Sequence, residues 1–239
     1  MSGVFITGSG TGVGKTFVTL GLIHCLKRQG QKVQALKPVV SGFDPLAMEG
    51  SDPALILNAL GRALDPEELD RIAPWRFQAP LSPDMAASTE RRTIDFSALV
   101  TFCRTALAEA SGALLIEGIG GVMVPLDERH TVLDLMASLK QAVVLVTGSY
   151  LGALSHTLCA AEAILHRSLD LRAILVSESE GATVPLDATL STLARFTPVP
   201  LLALSRSGFS PQNEKIFQNL AGLLSCRPLR HRPSCPPHP

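Results

Sequence analysis

Short apolar segments alternate along the chain with longer segments in which apolar residues recur every three or four positions. The short segments are almost continuously Val, Ile, Leu and Ala, which is typical of parallel strands buried on both faces. They predict strands at residues 4–7, 32–36, 113–117, 142–147, 173–177 and 201–204. The longer segments predict helices at about residues 15–29, 52–60, 95–110, 131–138, 155–167, 186–195 and 211–224.

This regular alternation predicts an α/β protein with a doubly wound, mostly parallel sheet and helices on both faces, because parallel neighbours require crossover connections. Gly30 is typical of a residue that ends the first helix, and Asp52 followed by Pro53 is typical of a helix start with Asp52 as its N-cap. Residues 73–84 contain three prolines and the only tryptophan, and they predict a long ordered loop.

The length of 239 residues suits one such domain, which we expect to span residues 1–225. Residues 226–239 contain five prolines and show no apolar periodicity, so they predict a disordered tail. Two cysteines and two histidines lie in this tail, but they lack the regular spacing of zinc ligands, which disfavours a structural metal site there.

Charge and cysteine content exclude several classes of protein. The 21 basic residues balance the 21 acidic ones, so no general attraction to nucleic acid or to a membrane surface is expected. No apolar segment reaches the length of a membrane span, and the first strand starts without a basic segment before it, so we expect no signal peptide. The five cysteines form no CxxC pair, and their odd number favours a reducing, cytoplasmic location.

The stretch GSGTGVGKT at residues 8–16 lies between a predicted strand and a predicted helix, which is the context of a phosphate-binding loop. Glycines allow backbone N–H groups to turn inward around phosphate oxygens, Lys15 would reach the β- and γ-phosphates, and Thr16 would bind Mg²⁺. The strict pattern has glycine where this chain has Ser9. A dinucleotide-binding loop is disfavoured, because the second strand runs into Lys37 and not into an acidic residue.

Polar residues also follow the ends of other predicted strands. Lys37 ends the second strand, Glu117 ends the strand ALLIE, and the carboxyl ends of parallel strands meet at one edge of a sheet. A buried, unpaired Glu117 would be costly, so we expect it to have a metal or substrate partner. Thr16, Asp52 and Glu117 form a plausible oxygen ligand set for Mg²⁺. The alternatives are that Lys37 points to solvent and that Asp52 only caps its helix.

Four stretches, TGSGTGVGKT at 7–16, KPVVSG at 37–42, SDP at 51–53 and IEGIGG at 116–121, together resemble the dethiobiotin synthetase family in residue type, order and spacing. The resemblance covers about residues 3–204 and includes SP at 82–83, VPL at 124–126 and LGALSH at 151–156. It implies a homodimeric P-loop enzyme that uses ATP, Mg²⁺ and CO₂ to close a ureido ring on 7,8-diaminopelargonate. The implied intermediates are a carbamate and a carbamic-phosphoric anhydride.

The resemblance also implies roles for individual residues. The catalytic group consists of Lys37, Lys15, Thr11 and Ser41. The nucleotide-binding residues are Gly10, Thr11, Gly12, Val13, Gly14, Lys15, Thr16, Phe17, Asp52, Glu117, Gly118, Gly120, Ser177 and Ser205. The substrate-binding residues are Ser41, Gly120 and Gly121, with Leu151, Gly152, Ala153, Leu154 and Ser155 of a second subunit receiving the terminal carboxylate.

The chain departs from the family pattern at the base-binding end. Family members commonly carry Asn after the fifth strand, where this chain has Ser177 and Glu178, so base preference is open. A cobyrinate-type amide ligase would need a glutaminase domain for which the chain has no room. A partition-type ATPase or nucleotide switch usually has a lysine early in the loop, where this chain has Gly10. An inactive relative is disfavoured by the presence of both lysines and all three candidate metal ligands.

Overall fold

A computed structural model describes residues 3–181 and 184–226. Its strands are β1 (Gly3–Gly8), β2 (Val33–Leu36), β3 (Val39–Ser41), β4 (Trp75–Phe77), β5 (Ala113–Glu117), β6 (Ala142–Gly148), β7 (Leu171–Ser177) and β8 (Leu201–Leu204). Its helices are α1 (Lys15–Arg28), α2 (Asp52–Leu60), α3 (Pro66–Ile72), α4 (Pro83–Thr89), α5 (Phe96–Glu109), α6 (Val132–Leu139), α7 (Ala153–His166), α8 (Leu186–Leu193) and α9 (Pro211–Ser225). A short 3₁₀ turn lies at Met48–Gly50.

Six strands form one parallel sheet in the order β2-β5-β1-β6-β7-β8. Every residue of β1 and β5 is buried, as their apolar sequences predict for strands covered on both faces. Helix α1 contacts α2 and α9, whereas α5 contacts α6 and α7 contacts α8, so helices form a layer on each face. The predicted doubly wound α/β fold is confirmed.

All six predicted strands and seven predicted helices are present, with ends within two residues of the prediction. The prediction for residues 73–84 is wrong in part: β4 pairs in parallel with β3, and α4 begins at Pro83. The small β3–β4 sheet satisfies backbone groups that a loop would expose, but strands of three residues are too short to show a periodicity. Helix α3 is a further element that the pattern does not predict.

Asp52 does not cap its helix. The N-cap of α2 is Ser51, whose hydroxyl accepts from the N–H of Ala54, and Asp52 and Pro53 are the first two residues of the helix. A serine one residue earlier therefore takes the capping role, and the Asp52 carboxylate is available to other partners.

The proposed tail lies outside the described residues except for Cys226. The carbonyl of Cys226 accepts a hydrogen bond of 2.7 Å from the Arg172 guanidinium, which also binds the Leu223 carbonyl at 2.9 Å. Arg172 thereby satisfies carbonyls at the end of α9 that have no partner within the helix. None of the described helices combines the length and the hydropathy that a membrane crossing requires.

Two helical glycines provide a test of the packing between α1 and α9. A Cβ atom at Gly21 would overlap the Phe217 ring, whereas a Cβ at Gly222 would meet nothing within 4 Å. We expect Gly21→Ala to lower the free energy of unfolding by about 1–3 kcal/mol through overpacking. Gly222→Ala should raise it by about 0.4–1 kcal/mol, because alanine loses less backbone entropy on folding. Urea denaturation measures both, and equal effects of the two substitutions would contradict this packing.

Candidate functional site

The phosphate loop joins β1 to α1 at the carboxyl edge of the sheet. Gly12 and Gly14 have φ angles of 71° and 97°, in the left-handed region that favours glycine. The departure from the strict loop pattern has a local cause: the Ser9 hydroxyl forms a 2.8 Å hydrogen bond with that of Thr147, on the neighbouring strand β6. The glycine is needed one residue earlier, since a Cβ at Gly8 would lie 3.0 Å from the Gly10 carbonyl oxygen.

Lys15 is the first residue of α1 and is buried. Its ammonium donates to the carbonyl oxygens of Gly10 and Gly120, at 2.8 Å each. Burial lowers the pKa of Lys15 to about 8, with repulsion from Lys37 as the second cause, although Glu117 and Asp52 oppose the shift. The side chain thus connects the phosphate loop to the IEGIGG segment after β5.

Lys37 and Glu117 form a buried ion pair. Their strands are neighbours, since Leu36 of β2 lies beside Ile116 of β5, so the residue after each lies at the same edge. The Lys37 ammonium lies 2.7 Å from Glu117 Oε1 and 3.1 Å from Asp52 Oδ2, and it donates to the Gly118 carbonyl at 3.0 Å. Burial alone would lower the pKa of Lys37, but attraction to the two carboxylates outweighs it and raises the pKa.

Two threonines of α1 complete this network. Thr16 Oγ1 lies 2.8 Å from both Asp52 Oδ1 and Glu117 Oε1, and Thr19 donates to Glu117 Oε2 at 2.6 Å. Lys37 and the Thr16 hydroxyl together lower the pKa of Asp52 against the opposing effect of burial. Thr19 is not among the residues predicted from the sequence. The sequence could have indicated Thr19, because it lies one helical turn after Lys15 and therefore on the same face of α1.

The oxygens of Thr16, Asp52 and Glu117 therefore converge at one point of the site. Two carboxylates and a hydroxyl suit a hard cation such as Mg²⁺, which prefers oxygen ligands and retains several waters. Within residues 3–181 and 184–226, no group of three His, Cys, Asp or Glu side chains is placed to hold a metal. The candidate set fits magnesium bound jointly by protein, water and phosphate, and not a metal held by the protein alone.

A cavity of about 810 Å³, here called the main cavity, lies over the phosphate loop. Its polar side contains many of the predicted residues: Thr11, Gly12, Gly14, Lys15, Thr16, Lys37, Ser41, Asp52 and Gly120. The same cavity also has apolar lining residues, here called the apolar wall, which the sequence did not indicate: Val40, Pro80, Leu81, Pro83, Ile119 and Val124. Gly121 packs against the phosphate loop, where a Cβ would lie 3.2 Å from the Ser9 carbonyl oxygen.

A second cavity of about 370 Å³, here called the side cavity, shares Gly12 and Gly14 with the main cavity. The remaining lining residues are Val13, Phe17, Ser177, Glu178, Ser179, Glu180, Ser205, Arg206 and Gly208. The predicted nucleotide-binding residues line one or both of these cavities, except for Gly10, Glu117 and Gly118, which line neither.

Residues Leu151 to Ser155 are not brought to either cavity. Helix α7 begins at Ala153 after Gly152, whose φ is 97°, and Leu151 is 90% exposed. Neither cavity has a lining residue from this segment among the described part of the chain.

The fold is similar to that of solved P-loop ATPases. The cell division ATPase MinD of Pyrococcus furiosus superposes with a TM-score of 0.55 at 18% identity, covering 93% of this chain and 100% of that chain. The MinC:MinD complex of Aquifex aeolicus gives a TM-score of 0.56 at 12% identity, covering 97% and 99%. At such identities the similarity concerns the fold alone.

Sequence comparison is more specific. A family model described as an AAA domain matches residues 2–204. The ATP-dependent dethiobiotin synthetase BioD of Acidiphilium cryptum strain JF-5 is 45% identical over 205 residues, covering 84% of this chain and 92% of that protein. The protein of the same name from Methylobacterium nodulans is 45% identical over 216 residues, covering 88% and 96%. With this identity over nearly their whole length, the chain belongs to the ATP-dependent dethiobiotin synthetase family.

Proposed function

We propose that the protein is an ATP-dependent dethiobiotin synthetase, a ligase that forms carbon–nitrogen bonds. It would convert 7,8-diaminopelargonate, CO₂ and ATP to dethiobiotin, ADP and phosphate. One observation carries this proposal beyond family membership: Lys15 and Lys37 face one cavity together with Thr11 and Ser41, beside the phosphate loop. Transfer of a phosphoryl group from a nucleotide to a second anion brings negative charges together, and two cationic groups in the same space would stabilise them.

The chemistry proceeds through two activated forms of CO₂. One amine of the substrate attacks CO₂ and loses a proton, giving a carbamate. A carbamate oxygen then attacks the γ-phosphorus of ATP, and ADP leaves, giving a mixed carbamic-phosphoric anhydride. The second amine attacks the carbonyl carbon of the anhydride, loses its proton and expels phosphate, which closes the ureido ring. Most of the catalysis is positioning and charge neutralisation, as in other phosphoryl transfers.

The lysines would neutralise different parts of this reaction. Lys15, at the N-terminus of α1 and bonded to the phosphate loop, would contact the β- and γ-phosphates. Lys37, which also lines the main cavity, would stabilise the carbamate and the transferred phosphoryl group. To reach substrate oxygens, each ammonium exchanges one of its present carbonyl or carboxylate acceptors for them. Thr11 and Ser41 would add hydrogen bonds to the carbamate.

Thr16, Asp52 and Glu117 would hold Mg²⁺, which when bound supplies positive charge that neutralises phosphate oxygens. Thr19 positions Glu117 by donating to its second oxygen. The apolar wall of the main cavity would contact the alkyl chain of the substrate. We further propose a homodimer in which Leu151 to Ser155 of a second subunit bind the substrate carboxylate, since the first turn of a helix has N–H groups without partners inside the helix and a positive dipole end.

Product formation tests the function directly. Incubation with 7,8-diaminopelargonate, bicarbonate, Mg²⁺ and ATP should give dethiobiotin, ADP and phosphate in equal amounts, measured by mass spectrometry and a phosphate assay. Hydrolysis of ATP without dethiobiotin would contradict the ligase and would favour a nucleotide switch.

Substitution of the two lysines should separate binding from chemistry. Lys37→Ala should lower kcat by about 10²–10³-fold, the cost of removing a preorganised donor, while the Kd for ATP changes little. Lys15→Ala should instead weaken ATP binding by about tenfold or more, because it removes a phosphate contact. Lys32→Ala, at an exposed position outside both cavities, is the control. Normal turnover of Lys37→Ala would disprove its role with the carbamate.

Mixed dimers test whether two subunits share each site. Lys37→Ala and Ser155→Asp should each be inactive alone, the latter because its negative charge repels the substrate carboxylate. After mixing and subunit exchange, half of the dimers carry one intact site, so activity should return to about a quarter of the wild-type value. No recovery, despite exchange shown by native mass spectrometry, would place each site within one chain.

A further inference from the structure

The side cavity is where the nucleobase would lie. It shares Gly12 and Gly14 with the main cavity, so a nucleotide whose phosphates bind the phosphate loop extends its base toward residues 177–180 and 205–208. This role of the side cavity rests on the proposed use of a nucleotide. The polar side chains that line this cavity are those of Ser177, Glu178, Ser179, Glu180, Ser205 and Arg206.

No amide side chain is among these lining residues in the described part of the chain. The nearby amide of Asn213, on α9, is fully buried and is already occupied. Its Nδ2 donates to the carbonyls of Ser205 and Gly208 at 2.8 and 2.7 Å, and its Oδ1 accepts from the Ser205 N–H at 3.1 Å. Asn213 therefore fixes the 205–208 loop and does not read a base.

The two carboxylates of the cavity are held differently. Glu178 Oε2 accepts from the backbone N–H of Arg206 at 3.0 Å, and the Glu178 N–H donates to the Leu204 carbonyl at 2.8 Å, so this residue is fixed between β7 and β8. The Glu180 side chain is 87% exposed and lies 3.3 Å from the Arg206 guanidinium. Of the two, only Glu178 is held by backbone groups on both its main chain and its side chain.

An ionised carboxylate can accept hydrogen bonds but cannot donate them. Adenine and cytosine carry an exocyclic amine that donates, whereas hypoxanthine and uracil carry a carbonyl oxygen at the same ring position. An amine would donate to the carboxylate, whereas a carbonyl oxygen at that position would be repelled by it, which leaves only the adjacent ring N–H as a donor. We infer that Glu178 is a specificity-determining residue that selects nucleotides with an exocyclic amine at this ring position, ATP and CTP, over their oxo counterparts, ITP and UTP.

Calorimetric titration of the full chain with each of the four nucleotides in the presence of Mg²⁺ tests this inference. The wild type should bind ATP more tightly than ITP, and CTP more tightly than UTP, by about tenfold or more, because a site built to accept from an amine rejects the analogue without it. Glu178→Gln should bring both ratios to within about threefold, since an amide can donate as well as accept. Glu180→Gln removes the same charge from the same loop and should keep the wild-type ratios.

Equal affinities within either pair in the wild type would overturn the inference, and so would Glu180→Gln if it abolished the ratios as fully as Glu178→Gln. Glu178→Ala serves as a second variant if Glu178→Gln does not fold, and retained ratios in a folded Glu178 variant also overturn the inference. Because binding is measured without the amine substrate, the result is independent of dethiobiotin formation. A protein with the expected ratios but without product would contradict the proposed function alone.

Discussion

The ion pair between Lys37 and Glu117 is the interaction on which the rest of the site depends. Their side chains are 4% and 0% exposed, and the charged atoms lie 2.7 Å apart. Either charge alone at this depth would cost several kcal/mol, roughly the effective penalty for burying an ion in a protein. The sheet order brings the two charges together: β5 lies between β1 and β2, so Glu117 at the end of β5 lies beside Lys37, which follows β2. Glu117 also lies beside the first two turns of α1, where its carboxylate accepts hydrogen bonds from Thr16 and Thr19.

The four charges of the site, on Lys15, Lys37, Asp52 and Glu117, balance formally, and each has a polar partner within the chain. The charged form of Lys15 is nevertheless disfavoured, since burial and repulsion from Lys37 lower its pKa to about 8. An anion bound near Lys15 would raise this pKa and stabilise the charged ammonium. The charges of the site are therefore paired within the chain, and Lys15 still favours an anion beside it. The donors and charges of the site already lie at the carboxyl edge of the sheet, so binding requires only an exchange of acceptors by the two lysines.

The sequence predicted the sheet, its helices and the residues at its carboxyl edge, since buried parallel strands and strand-end polar residues leave strong patterns. It did not predict β3 and β4, which are too short for a periodicity, or the apolar wall containing Pro80 and Val124. Those residues come from separate connections, and only tertiary packing brings them together. Asp52 was misassigned as a cap because Ser51 and Asp52 are both good N-cap residues, and the local sequence does not distinguish them. The roles of the site residues stay predictions.

Similarity of fold to MinD does not decide the function, since the same sheet and phosphate loop serve proteins of different activity. The difference lies in what surrounds the loop. Gly10, where partition-type ATPases usually have a lysine, supplies a carbonyl to Lys15. The connection from β2 to β5 adds Pro80 and Leu81 to the lining of the main cavity. An apolar lining beside the phosphate loop suits a second small molecule with an alkyl chain, which a nucleotide switch does not need. The architecture around the loop therefore favours a ligase.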